Sequence, residues 1–69
     1  MVGRMNTIKA TVAEEVRDGD IIMHNGEPYT VYSLAHTLTE AWLDLIAEDG
    51  DQVSLRRPMR GLVHVVVPG

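Results

Sequence analysis

Apolar and polar residues alternate along this chain over short spans, and turn signals break the alternation every few positions. From Asn6 to Val12, Ile8, Ala10 and Val12 share one side and Thr7, Lys9 and Thr11 the other, the pattern of a half-buried strand. Glu14–Asp20 is polar around Val16 and carries the turn signal Asp18-Gly19. Ile21–His24 predicts a second strand. Asn25-Gly26 after it predicts a hairpin, because a type I′ turn needs positive φ at both central residues. Pro28 sits near the start of the next strand, where a missing N–H is tolerated. Tyr29–Ala35, rich in aromatic and β-branched residues, predicts that strand, and His36–Thr39 a loop.

Glu40–Glu48 supports two readings. Its Ala, Leu and Glu content suits a helix. Ala41, Leu43, Leu45 and Ala47 nevertheless alternate with Trp42, Asp44, Ile46 and Glu48, and the segment runs into the hairpin signal Asp49-Gly50. Strand is the expectation. Gln52–Arg57 predicts another strand, Pro58–Gly61 a tight turn and Leu62–Val67 the last strand. Five to six short antiparallel strands with almost no helix predict an all-β fold. Closure into a small barrel would remove the exposed edges of so small a sheet.

The 69 residues suffice for one domain, expected over residues 6–69 with a loose tail over residues 1–5. A core this small is marginal and gains from self-association. There is no cysteine, hence no disulfide, thiolate nucleophile or cysteine zinc site. No apolar run exceeds three residues, as at Val65–Val67, so no membrane partner is expected. No basic-then-apolar leader is visible, and the cytosol or a virion is the expected location. The net charge of -4 hides a segregation: all ten acids lie within residues 14–51, where Arg17 is the only cation. Arg4 and Lys9 precede that segment, and Arg56, Arg57 and Arg60 follow it.

The stretch from Val16-Arg17-Asp18-Gly19-Asp20 through Asn25-Gly26 to Pro28-Tyr29-Thr30-Val31 resembles the first hairpin of SH3-like, KOW-type barrels, among them the N-terminal domain of translation elongation factor P. The shared pattern is a Gly-Asp turn, an apolar pair, a second Gly turn and Pro-Tyr-x-Val. The resemblance covers about a quarter of the chain and implies an SH3-like barrel whose first and last strands pair. Such pairing is expected to gather Arg4, Lys9, Arg56, Arg57, Arg60 and His64 at one end. It implies none of the elongation factor's central activity. The loop that carries the modified basic residue there reads His36-Thr37-Leu38-Thr39 here, with no lysine, arginine or glycine. The whole chain is also similar to small proteins of actinobacteria and their phages, through its Val-x-x-Gly-Asp, Trp-x-x-Leu and Arg-Pro segments; no activity comes with that likeness.

Little chemistry is legible. His24, His36 and His64 lack metal-ligand spacing. Glu48-Asp49-Gly50-Asp51 lacks the twelve-residue ligand pattern of a calcium loop and suits a solvated hairpin tip. The pairs Asp18 with Asp20 and Glu14 with Glu15 need a cleft before they can act as acid and base. Ser33 and Ser54 sit in no nucleophile motif. The expectation is a protein that is not an enzyme, with no cofactor, no metal and no small-molecule substrate.

Two surfaces remain. If Leu43, Leu45 and Ala47 face the core, Trp42 and Ile46 turn outward, and Tyr32 is expected near them. Several strands are then apolar on both faces. Either the Glu14–Asp20 loop covers a second small core, or a partner covers an exposed patch. The interface reading, with Trp42, Ile46 and Tyr32 against a protein partner or a second copy, is the leading expectation. The alternative is a nucleic-acid-binding barrel in which Arg56, Arg57 and Arg60 contact phosphates or an acidic partner. Against it, Tyr29, Tyr32 and Trp42 all lie in the acidic middle, apart from the arginines with which stacking aromatics would interleave.

Overall fold

The computed structural model describes residues 7–67. It is all-β: β1 (Thr7–Val12), β2 (Ile21–His24), β3 (Glu27–His36), β4 (Glu40–Ala47), β5 (Gln52–Pro58) and β6 (Leu62–Val67). The only helical element among the described residues is a 3₁₀ turn at Ala13–Glu15. The expected tail over 1–5, and Arg4 with it, lies outside the described residues.

All six strands form one antiparallel sheet in the order β1-β6-β2-β3-β4-β5. The first and last strands pair, from Thr7↔Val67 to Val12↔Leu62. No ladder among the described residues joins β1 to β5, so the sheet is open in its hydrogen bonding.

Turn chemistry sets the register. Asn25 and Gly26 have φ of 52° and 78°, the two positive values a type I′ hairpin needs, and β2 pairs with β3 around them. At the next hairpin tip the Ala47 N–H donates to the Asp51 carbonyl at 2.8 Å across three residues, with Gly50 at φ 96°. The Arg17–Asp20 turn is closed twice: the Arg17 N–H donates to the Asp20 carboxylate at 3.0 Å and the Asp20 N–H to the Arg17 carbonyl at 3.1 Å. Pro58–Gly61 is a tight turn in which the Gly61 N–H reaches the Pro58 carbonyl at 2.8 Å.

One face of the sheet carries the core: Ile22, Tyr29, Val31, Leu43, Leu45, Leu55, Val63 and Val65, joined by Val16 from the β1–β2 connection. A single layer buries this many side chains only by coiling around them. Val16 enters this same cluster, so the loop that bears it forms no second core on the outer face.

Glu40–Ala47 is a strand, with Ala41, Leu43 and Leu45 buried. Pairing on both sides, with β3 and β5, outweighs the segment's helix propensity. One expectation needs correction. β1 keeps its alternation but is not half-buried: Ile8 is 53% exposed, and only Thr11 and Val12 are partly covered. Directly opposed residues of an antiparallel pair share a face, so Lys9 opposite Val65 and Thr11 opposite Val63 stand on the core side, and Ile8 opposite Val66 on the outer side. The β1–β6 ladder itself brings the strand of Lys9 against that of His64. Lys9 is on β1 and Arg56 and Arg57 on β5, at the two ends of the strand order.

Candidate functional site

The outer face of β3, β4 and β5 is built by cross-strand rows. Trp42 stands between Ala35 and Arg56, Asp44 between Ser33 and Ser54, and Ile46 between Thr30 and Gln52. At about 3.3 Å per residue, Trp42 and Ile46 lie some 13 Å apart along β4.

Tyr32 lies on this face at a bulge. Val31 opposes Leu45 and Ser33 opposes Asp44, so Tyr32 is an extra residue in β3. Val31 faces the core and Leu34 packs against it, while Tyr32 and Ser33 between them are both exposed. Strict alternation places Tyr32 on a face with Leu34; the bulge shifts the phase and separates them. Tyr32 itself follows Thr30 by plain alternation and shares the outer face with Trp42 and Ile46, with Tyr32 49% and Trp42 40% exposed and Ile46 half-buried.

The Arg56 guanidinium carbon lies 4.3 Å from the centre of the Trp42 ring. Such stacking is worth about 0.5–1 kcal/mol at an exposed site. The Trp42 Nε1–H points to Glu40 Oε1 at 3.4 Å, and the Ser54 hydroxyl donates to Asp44 Oδ1 at 3.0 Å. These contacts hold Trp42 at the surface with one ring face covered by Arg56. The pairing of Trp42 with Arg56 was not readable in the sequence: a two-residue Asp49-Gly50 turn sets Trp42 opposite Arg57, and the three-residue connection between Ala47 and Asp51 shifts it to Arg56.

The three arginines do not form one patch. Arg56 is on the outer face against Trp42. Arg57, next in the strand, turns to the other face, where it opposes the buried Ala41 and donates from Nη1 to the Arg56 carbonyl at 2.9 Å. Arg60 lies in the turn before β6.

Two clefts flank the sheet, both acidic. One, of about 720 Å³, lies among Glu14, Glu15, Arg17, Asp18 and His36. The other, of about 240 Å³, lies between the two hairpin tips, lined by Glu27, Tyr29, Glu48, Asp49 and Asp51. Burial pushes the Tyr29 phenol above its ordinary pKa, and the carboxylates of Glu27, Asp51 and Asp49 push it further. The folded state therefore holds the phenol neutral where the unfolded chain ionises it. The stability this represents is complete below the unfolded-state value near 10 and is lost as pH rises through the higher folded-state value. Urea unfolding at pH 9 and pH 11 checks this. The fall in stability between them is expected to be smaller in Tyr29→Phe than in wild type, and equal falls would remove Tyr29 as the cause.

His24 packs edge-on against Tyr29 with ring centres 5.7 Å apart, His36 lies at the end of β3, and His64 is exposed on β6. Among the described residues no three His, Asp or Glu side chains gather as a metal site would require. No described helix is long and apolar enough to cross a membrane. No protein-family model matches the chain, and no curated protein matches it.

Proposed function

We propose that the chain is a non-enzymatic protein-interaction module whose outer sheet face, centred on Trp42, docks on another protein. The observation that carries this is the grouping of Tyr32, Trp42 and Ile46 on one exposed face, with Arg56 stacked on the tryptophan. Tryptophan, tyrosine and arginine are the residue types that dominate binding energy at protein interfaces. The polar surround of Glu40, Asp44 and Ser54 suits the rim of such a contact. An SH3-like assignment of the domain is supported by the pairing of the first and last strands and by the tight turn before the last one. A role as a phage-type accessory, virion or host-modulating protein rests on the likeness of the whole chain to small phage proteins.

Nucleic-acid binding through Arg56, Arg57 and Arg60 is the weaker reading, since Arg56 and Arg57 project to opposite faces and Arg56 is engaged by Trp42. Pull-down from host lysate on immobilised wild type and Trp42→Ala, with and without nuclease, separates the two. Capture of a defined protein that survives nuclease and is lost in Trp42→Ala, with the strand circular dichroism retained, supports the module. Capture that disappears with nuclease and persists in Trp42→Ala would transfer the function to the arginines.

A further inference from the structure

β1 and β5 end the strand order, and among the described residues neither is paired on its outer edge. The two edges differ. In β5 the Ala47–Asp51 bond continues the β4 ladder, and inter-strand bonds recur at every second residue. Val53, Leu55 and Arg57 therefore turn their backbone groups to β4, and Gln52, Ser54, Arg56 and Pro58 to the open side. That side is blunted: Pro58 has no N–H, and the Arg57 guanidinium occupies the Arg56 carbonyl at 2.9 Å.

Among the described residues the β1 edge has no such cover. The Ala13 N–H donates to the Gly61 carbonyl at 2.8 Å, one step beyond Val12↔Leu62 in the same register. By the same alternation Ile8, Ala10 and Val12 turn their N–H and C=O groups to the open side. Their side chains lie on the outer face, where Ile8 is 53%, Leu62 61% and Ile21 39% exposed. Cross-strand pairing connects Ile21, Val66 and Ile8 in one row and Leu62 with Val12 in another.

We infer that β1 pairs antiparallel with β1 of a second copy, about a two-fold axis at Ala10. Backbone groups that face the open edge must meet one another, which leaves two registers overlapping five residues of β1. One is centred on Lys9 and sets two like charges directly opposite, which is destabilising. The other is centred on Ala10. It sets Ile8 against Val12 of the second copy and Lys9 against its Thr11, so no charge is opposed. In this register the row Ile21–Val66–Ile8 continues into Val12 and Leu62 of the second copy, and the symmetric row does the same. The exposed isoleucines and Leu62 become two continuous apolar rows, each crossing five strands of a twelve-stranded sheet, and each copy gains the backbone bonds its first strand lacks. This surface is separate from the Trp42 face and does not rest on its role.

The chain has no cysteine, which makes the test clean. In the Ala10-centred register the two Ala10 Cα atoms are about 5.5 Å apart, within the range of about 4.4–6.8 Å that a disulfide spans. The two Ile8 positions are about 13 Å apart along the strand. Wild type is expected to sediment at twice the chain mass at high concentration. Ala10→Cys is expected to form a covalent dimer under mild oxidation, and Ile8→Cys to remain uncoupled. Ala10→Pro removes only an N–H on the open side, and is expected to sediment as a single chain with its strand circular dichroism intact. Wild type that sediments as a single chain at every concentration would overturn the pairing. So would cross-linking of Ile8→Cys in preference to Ala10→Cys. A dimer that survives Ala10→Pro and is lost in Trp42→Ala would overturn it in favour of the Trp42 face.

Discussion

Leu45→Ala is expected to cost about 2–5 kcal/mol, the range for truncating a leucine in a packed core. Leu45 is fully buried and paired on both sides, with Val31 on β3 and Val53 on β5, so the sheet cannot collapse locally into the space left. Small domains of this size commonly have only about 3–5 kcal/mol of stability from a single core. The variant is therefore expected to be largely unfolded under conditions in which wild type is folded. Urea denaturation followed by circular dichroism measures the effect. Trp42→Ala, three residues away in the same strand, provides the contrast. Its side chain is on the other face and 40% exposed, and its loss is expected to cost much less stability than that of Leu45. Equal costs would mean that the tryptophan belongs to the core and that the outer face is not a free surface.

The second large effect compares neighbours in β6. Val65 is 6% exposed within the core, whereas Val66 is half-buried on the outer face between Ile8 and Ile21. Val65→Asp places a carboxylate among Ile22, Val63 and the other core side chains, where Lys9, directly opposite on β1, is itself exposed at the sheet edge. An unpaired buried charge costs several kcal/mol, or forces the group to take up a proton. Val65→Asp is expected to abolish cooperative unfolding at neutral pH, with partial recovery at acid pH. Val66→Asp is expected to remain folded. The reverse order would place the core on the other face of β6 and overturn the register.

Most of the strands could be read along the chain because their causes are local. Asn25-Gly26 supplies the backbone torsions of its own hairpin, and Gly50 supplies the positive φ of the next. Leu43 and Leu45 alternate with Trp42 and Ile46, and strand geometry alone sends them to opposite faces. The outward placement of Trp42 and Ile46 follows from that period. The likeness of Glu40–Ala47 to a helix was resolved by the strands on either side, since two ladders satisfy its backbone.

Other features were decided by contacts between distant segments. β1 looks half-buried in isolation, but the sheet order puts it at an edge, with β6 on one side and no described strand on the other. The bulge at Tyr32 has no turn residue to announce it; it arises from fitting β3 to β4 and turns Ser33 outward and Leu34 inward against strict alternation. Arg56 and Arg57 read as one basic patch because they are adjacent in sequence, yet the pleat sends them to opposite faces and the tertiary pairing sets Arg56 on Trp42. Local torsion and period, carried by each residue and its neighbours, determined the strands, the turns and the face of most side chains. Sheet order, phase shifts and the uncovered edge of β1 belong to the tertiary structure, because each is a balance between segments that meet only when the sheet coils on its core.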